Sequence, residues 1–83
     1  MPGLKAQLAD ALDHATAGDW QRAHQIVQDH EDDPVASWIH ALVHRVEGDL
    51  DNARYWYSRC RRTPADDLSA EDELRQIRAA LDR

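Results

Sequence analysis

The sequence predicts an all-α chain: two stacked antiparallel helical hairpins followed by a capping helix. Three observations predict it. Shifted by 30 residues, the chain matches itself at Ala6/Ala36, Ala11/Ala41, Leu12/Leu42, His14/His44, Gly18/Gly48, Asp19/Asp49, Ala23/Ala53 and Pro34/Pro64. These are small residues where helices approach closely, a Gly-Asp pair where one helix stops and the next starts, and a Pro that opens a unit, the punctuation of stacked helical hairpins. Second, only three Gly and three Pro interrupt the 83 residues, and β-branched residues are few. Third, apolar residues recur at helical spacing.

The elements follow in order. Leu4, Leu8, Ala11, Leu12 and Ala15 mark a first helix over about residues 4–17. Gly18 is suited to the left-handed residue that closes it, and the Asp19 carboxylate to the N-cap of the next. The second helix is expected to run from Trp20 to about His30, facing inward with Trp20, Ala23, Ile26 and Val27. Asp33-Pro34 reads as an N-cap followed by Pro at the first helical position. The third helix covers about residues 34–47, with Val35, Ile39, Leu42 and Val46 on one face. Gly48-Asp49 repeats the stop and restart. The fourth covers about residues 50–62, with Leu50, Ala53, Trp56, Tyr57 and Cys60 inward, and Thr63-Pro64 repeats the cap and Pro. Ser69 and Asp72 resemble a capping box, and Leu74, Ile77 and Leu81 give the last helix a single apolar stripe. The units span about 4–33 and 34–63, the capping helix about 69–82, and residues 1–83 form one domain.

Composition narrows the function classes. The formal charge of −6 argues against nucleic acid and anionic membrane as partners. No apolar stretch is long enough to span a bilayer, and no secretory or transit pattern is expected. Cys60 is the single cysteine, so no disulfide framework is available and a reducing, cytoplasmic setting is expected.

The second unit resembles a tetratricopeptide-type repeat. Ala53-x3-Tyr57 followed by Pro64 is similar to that family's second helix and terminal Pro, and Trp38-x2-Ala41-Leu42 is loosely similar to its first. The 30-residue period is shorter than the usual ~34, so the likeness is to the hairpin architecture. The run Trp38-Ile39-His40-Ala41-Leu42-x-His44-Arg45-x-Glu47-Gly48-Asp49, with Asn52-Ala53-x-Tyr55-Trp56-Tyr57, also resembles a family of short uncharacterised bacterial proteins. That resemblance implies a bacterial source and a helical fold, and brings no activity, cofactor or partner.

Several residues could carry chemistry. His40 and His44 stand four apart on one helix, opposite Val35, Ile39 and Leu42, and are therefore expected on an exposed face. Such a pair can share a divalent ion, but a site needs further ligands. His14 and His24 are the candidates, and the sequence does not place them. No tight zinc site and no cofactor are therefore expected. A metal module would require three or more of His14, His24, His40 and His44 to converge. The metalloprotease pattern His-Glu-x-x-His is absent, His30 is expected to favour a helix C-terminus, and Cys60 has no histidine at a nucleophile spacing. No catalytic residue is assigned and no enzyme is expected.

Tyr55-Trp56-Tyr57 cannot lie on one stripe, because successive helical residues are about 100° apart. Trp56 and Tyr57 flank Ala53 and belong inside, so Tyr55 points out. Arg54, Arg59, Arg61 and Arg62 place four of the ten basic residues on the same helix, where they could meet an acidic partner or a phosphate, or where Arg59, Arg61 and Arg62 favour its C-terminus or answer Glu31-Asp32-Asp33. The function expected is protein–protein interaction through Tyr55, Trp38, His40, His44, Arg54 and Arg59. The partner is another protein or a second copy, since two units fall short of the three that repeat arrays usually need. The alternative is a small-ligand or metal-binding module using the histidine-bearing face.

Overall fold

The computed structural model describes residues 3–64 and 67–83. Among them it is all-helical: α1 Leu4–Thr16, α2 Trp20–Val27, α3 Pro34–Glu47, α4 Leu50–Arg59 and α5 Ala70–Leu81. Each of the first three helices packs on the next, as stacked hairpins require, and α5 packs on α1 and α3. No described helix is long and apolar enough to cross a membrane.

The repeated punctuation does what its chemistry dictates. Gly18 and Gly48 adopt φ of 87° and 85°, the left-handed region that only glycine enters without steric cost. Around each, the following Asp N–H reaches the carbonyl five residues back: Asp19 to His14 at 2.8 Å and Asp49 to His44 at 2.9 Å. This is the Schellman closure. The side chains of Asp19, Asp33, Asp49 and Ser69 then accept from the N–H groups of Arg22, Ala36, Asn52 and Asp72, each satisfying an orphan donor of a helix start.

Two helix ends fall three residues earlier than their spacing predicts. α2 stops at Val27 and α4 at Arg59. The end of α4 uses the same closure without glycine: Arg61 sits at φ 60°, while Arg62 N–H bonds the Tyr57 carbonyl at 2.9 Å. Nothing in the residue type announces that stop. Thr63-Pro64 opens no helix among the described residues, and α5 begins only after Ser69. Leu4, Val46 and Leu50, expected inward, are exposed, each at or next to the end of its helix.

The core explains where function can sit. α3 is central: it packs against all four other helices, and every residue from Ala36 to Val43 is buried. Ala23 and Ala53 are buried at repeat-equivalent positions of α2 and α4, where a small side chain lets the paired helices approach closely. A helix apolar on one face only would leave His40 and Trp38 in solvent. A helix surrounded on all sides buries both.

α5 is fastened by one carboxylate. Glu73, fully buried, accepts from Trp38 Nε1 at 3.0 Å, from the Tyr57 hydroxyl at 2.6 Å and from Arg45 Nη1 at 2.6 Å. Arg45 also donates to the Leu68 carbonyl. Arg78 adds a 2.7 Å bond to Asp13 on α1. Burying a charge is tolerated only when its partners are this complete. Glu73→Ala strands three buried donors and is expected to cost about 3–5 kcal/mol, seen as a large fall in the urea midpoint. Glu73→Gln keeps an acceptor and is expected to lose less.

Candidate metal centre

His24, His40 and His44 converge. α2, which packs on α3, supplies His24, and α3 supplies the other two, one turn apart. The His40 and His44 rings stack at 5.0 Å and 23°, and His24 meets them edge-on at 4.6 and 5.3 Å. One ring nitrogen from each lies within 4.8 Å of the others. His24 Nε2 and His40 Nε2 are 3.0 Å apart, so one donates and the other accepts. On the far side, the Trp56 indole stacks on His40 at 3.8 Å and 13°.

Two features distinguish this cluster from satisfied core histidines. Nδ1 of His40 is buried without a hydrogen-bond partner, and Nδ1 of His44 is buried with no aligned hydrogen bond, although Glu47 Oε2 stands 3.3 Å away. An unmet buried polar atom costs roughly 1–3 kcal/mol, and no fold-level reason requires two of them together. His40 is also pushed well down from the usual 6.5 to about 4, first by burial and then by the neighbouring His24 and His44. The ring is thus neutral near pH 7, the form in which imidazole binds a metal.

The geometry suits a late first-row divalent ion. Nitrogens sharing one tetrahedral ion with bonds of about 2.0–2.1 Å stand about 3.3 Å apart, and the His24–His40 separation of 3.0 Å is close to that. Three imidazoles favour zinc, copper or nickel over magnesium or calcium, which take oxygen ligands. Three protein ligands leave one position open, as in sites that bind an exchangeable group.

The other expected site residues divide. Trp38 is only 5% exposed; its N–H goes to Glu73 and the Arg62 guanidinium covers its ring at 3.4 Å. His40 is equally buried and His44 nearly so. These three therefore leave the surface on which they were expected. The physical reason is that α2 and α4 cover the side of α3 opposite Ile39 and Leu42. Tyr55 does point out, 52% exposed. Arg59 donates to its hydroxyl at 3.3 Å, bonds the Glu31 carbonyl at 3.3 Å and stands 3.8 Å from Asp32, so it does answer the acidic turn. Arg54 makes only an exposed 3.4 Å contact with Asp51.

His14 lies 3.7 Å from both Asp10 and Asp19 and stays out of the cluster. His30 lies beyond the end of α2, where its Nε2 meets Gln7 Oε1 at 2.7 Å. The Cys60 thiol donates to the Tyr57 carbonyl at 3.3 Å, and burial pushes its pKa up, which keeps it protonated. The histidine that joins the pair is His24. The signal that could have placed it is the run from Val35 to Val43, nine residues without a charge, which marks a helix buried all round and so facing α2 with its histidines.

No family model matches the chain, and the curated proteins and solved structures contain none similar to it.

Because His40 takes up a proton less readily in the folded chain, the unfolded state binds protons first as pH falls. Stability of the metal-free protein is therefore full above about pH 7 and is lost from the unfolded value of 6.5 downward toward about 4. Between about pH 7 and pH 5 the loss is expected to reach up to about 2 kcal/mol. Urea titrations at the two pH values check it, and His40→Phe is expected to flatten the difference.

Proposed function

We propose that this protein is a metal-binding module that holds one late first-row divalent ion, zinc or copper in class, between its two hairpins. The observation that carries the reading is the convergence of His24, His40 and His44, with two buried ring nitrogens that make no hydrogen bond. His24 belongs to the first unit and the other two to the second, so a bound ion would tie the units together and stabilise the fold by mass action. For a chain this short, whose core is modest, such a tie is a substantial gain. The hairpins are read as tetratricopeptide-like from the repeat pattern, the source as bacterial from the resemblance of the Trp38–Asp49 and Asn52–Tyr57 runs to short bacterial proteins, and the setting as cytoplasmic from the lone cysteine, Cys60.

Calorimetric titration with zinc, and separately copper, is expected to give one submicromolar site per chain and a raised melting temperature, with no response to magnesium. His24→Ala and His44→Ala are each expected to weaken binding at least tenfold. Wild-type protein with no saturable one-to-one binding of either ion would reject the reading.

A second reading is association through the α4 face. Half-exposed Tyr55 and, on the same helix, half-exposed Leu50 favour it. Sedimentation is expected to detect association that Tyr55→Glu abolishes; a strict monomer at high concentration, with no partner lost in the variant, rejects it.

A further inference from the structure

Building on the reading of His24, His40 and His44 as a metal site, we propose that Glu47 is its positioning residue: the carboxylate holds Nδ1 of His44 and so presents Nε2 to the ion.

Glu47 stands three residues after His44, as the last residue of α3, and its Oε2 lies 3.3 Å from His44 Nδ1. That nitrogen has no aligned hydrogen bond in the metal-free protein. A small rotation of the half-exposed Glu47 side chain brings the oxygen into line. The main chain beneath it is fixed, because Gly48 turns left-handed at the next residue and closes the helix. The other nearby carboxylate is already committed: Asp49 accepts from the N–H of Asn52 at 3.3 Å and from its side-chain amide at 2.6 Å.

Glu47 is also misplaced by the local rules of helices. The C-terminal end of a helix carries partial negative charge, which disfavours a carboxylate in its last turn. A local rule broken without compensation marks a functional constraint. The first unit shows the contrast. Position 17, the repeat equivalent of Glu47, is Ala, and its histidine, His14, lies outside the cluster against Asp10 and Asp19.

The chemistry follows from the two nitrogens of imidazole. An acceptor at Nδ1 fixes the proton there, leaves the Nε2 lone pair free, fixes the ring's orientation and raises its basicity. Three neutral imidazoles also leave the double charge of the ion unbalanced, and Glu47 supplies a negative charge one ring away.

The test uses the full chain with zinc alone. Glu47→Ala is expected to weaken zinc binding 10–100-fold while the metal-free melting temperature stays unchanged. Asp51→Asn, which removes an exposed carboxylate elsewhere, is expected to bind as the wild type does. Nitrogen NMR of the metal-free protein is expected to show His44 protonated at Nδ1 in the wild type and in mixed tautomers in Glu47→Ala. Wild-type zinc affinity in Glu47→Ala, or an equal loss in Asp51→Asn, would overturn the role of Glu47 and leave the three-histidine site standing. A wild type that binds no zinc would remove the metal reading itself, and the His44 tautomer would then decide whether Glu47 holds that ring.

Discussion

The buried Glu73 carboxylate is the constraint on which the rest of the structure depends. It sits on α5, yet its acceptors bind Trp38 and Arg45 of α3 and Tyr57 of α4. Without it, α5 would be held mainly by the burial of Leu74 and Ile77 and by the exposed Arg78–Asp13 bond. With it, the last helix is keyed to one register, because three donors from two other helices must meet two oxygens. The hydroxyl of Tyr57 is correspondingly hard to ionise: burial, then the bond to Glu73, pushes its pKa up.

Closing α5 over α3 has a consequence on the opposite side. α3 is left with neighbours all around, and its histidines can face only protein. Two of their nitrogens end up without a hydrogen bond, while Trp56 stacks flat on one face of His40. The same crowding that builds the core thus builds a polar cluster that the core does not satisfy. The cost is concentrated at one seam, between α2 and α3, and α2 is the shortest of the five helices at eight residues.

Much of the fold was legible because it is written in residues with one physical use. Gly18 and Gly48 announce left-handed closures, Asp19, Asp33 and Asp49 announce caps, and Pro34 announces a first turn. The ends of α2 and α4 were less legible: a histidine and an arginine stand near the stops, and Arg61 takes the left-handed position that glycine fills elsewhere. The site was half legible. His40 and His44 share a face by simple periodicity, but reading that face as solvent assumed one buried stripe for α3, and this assumption failed. His24 is joined to them by tertiary packing 16 residues away in sequence, a relation no spacing rule encodes. Glu73 likewise read as an ordinary acidic residue of a helix start, and only its neighbours reveal its other use.

The two units are copies in their scaffold and not in their polar residues. Thirty positions on from His24 stands Arg54, thirty before His40 stands Asp10, and only His44 has a like residue in His14. The cluster therefore does not belong to the repeat. It belongs to the junction, where the second helix of one copy meets the first helix of the next. A single hairpin has no such junction, and a pair has one. Two hairpins side by side thus hold a place for three imidazoles that neither contains by itself.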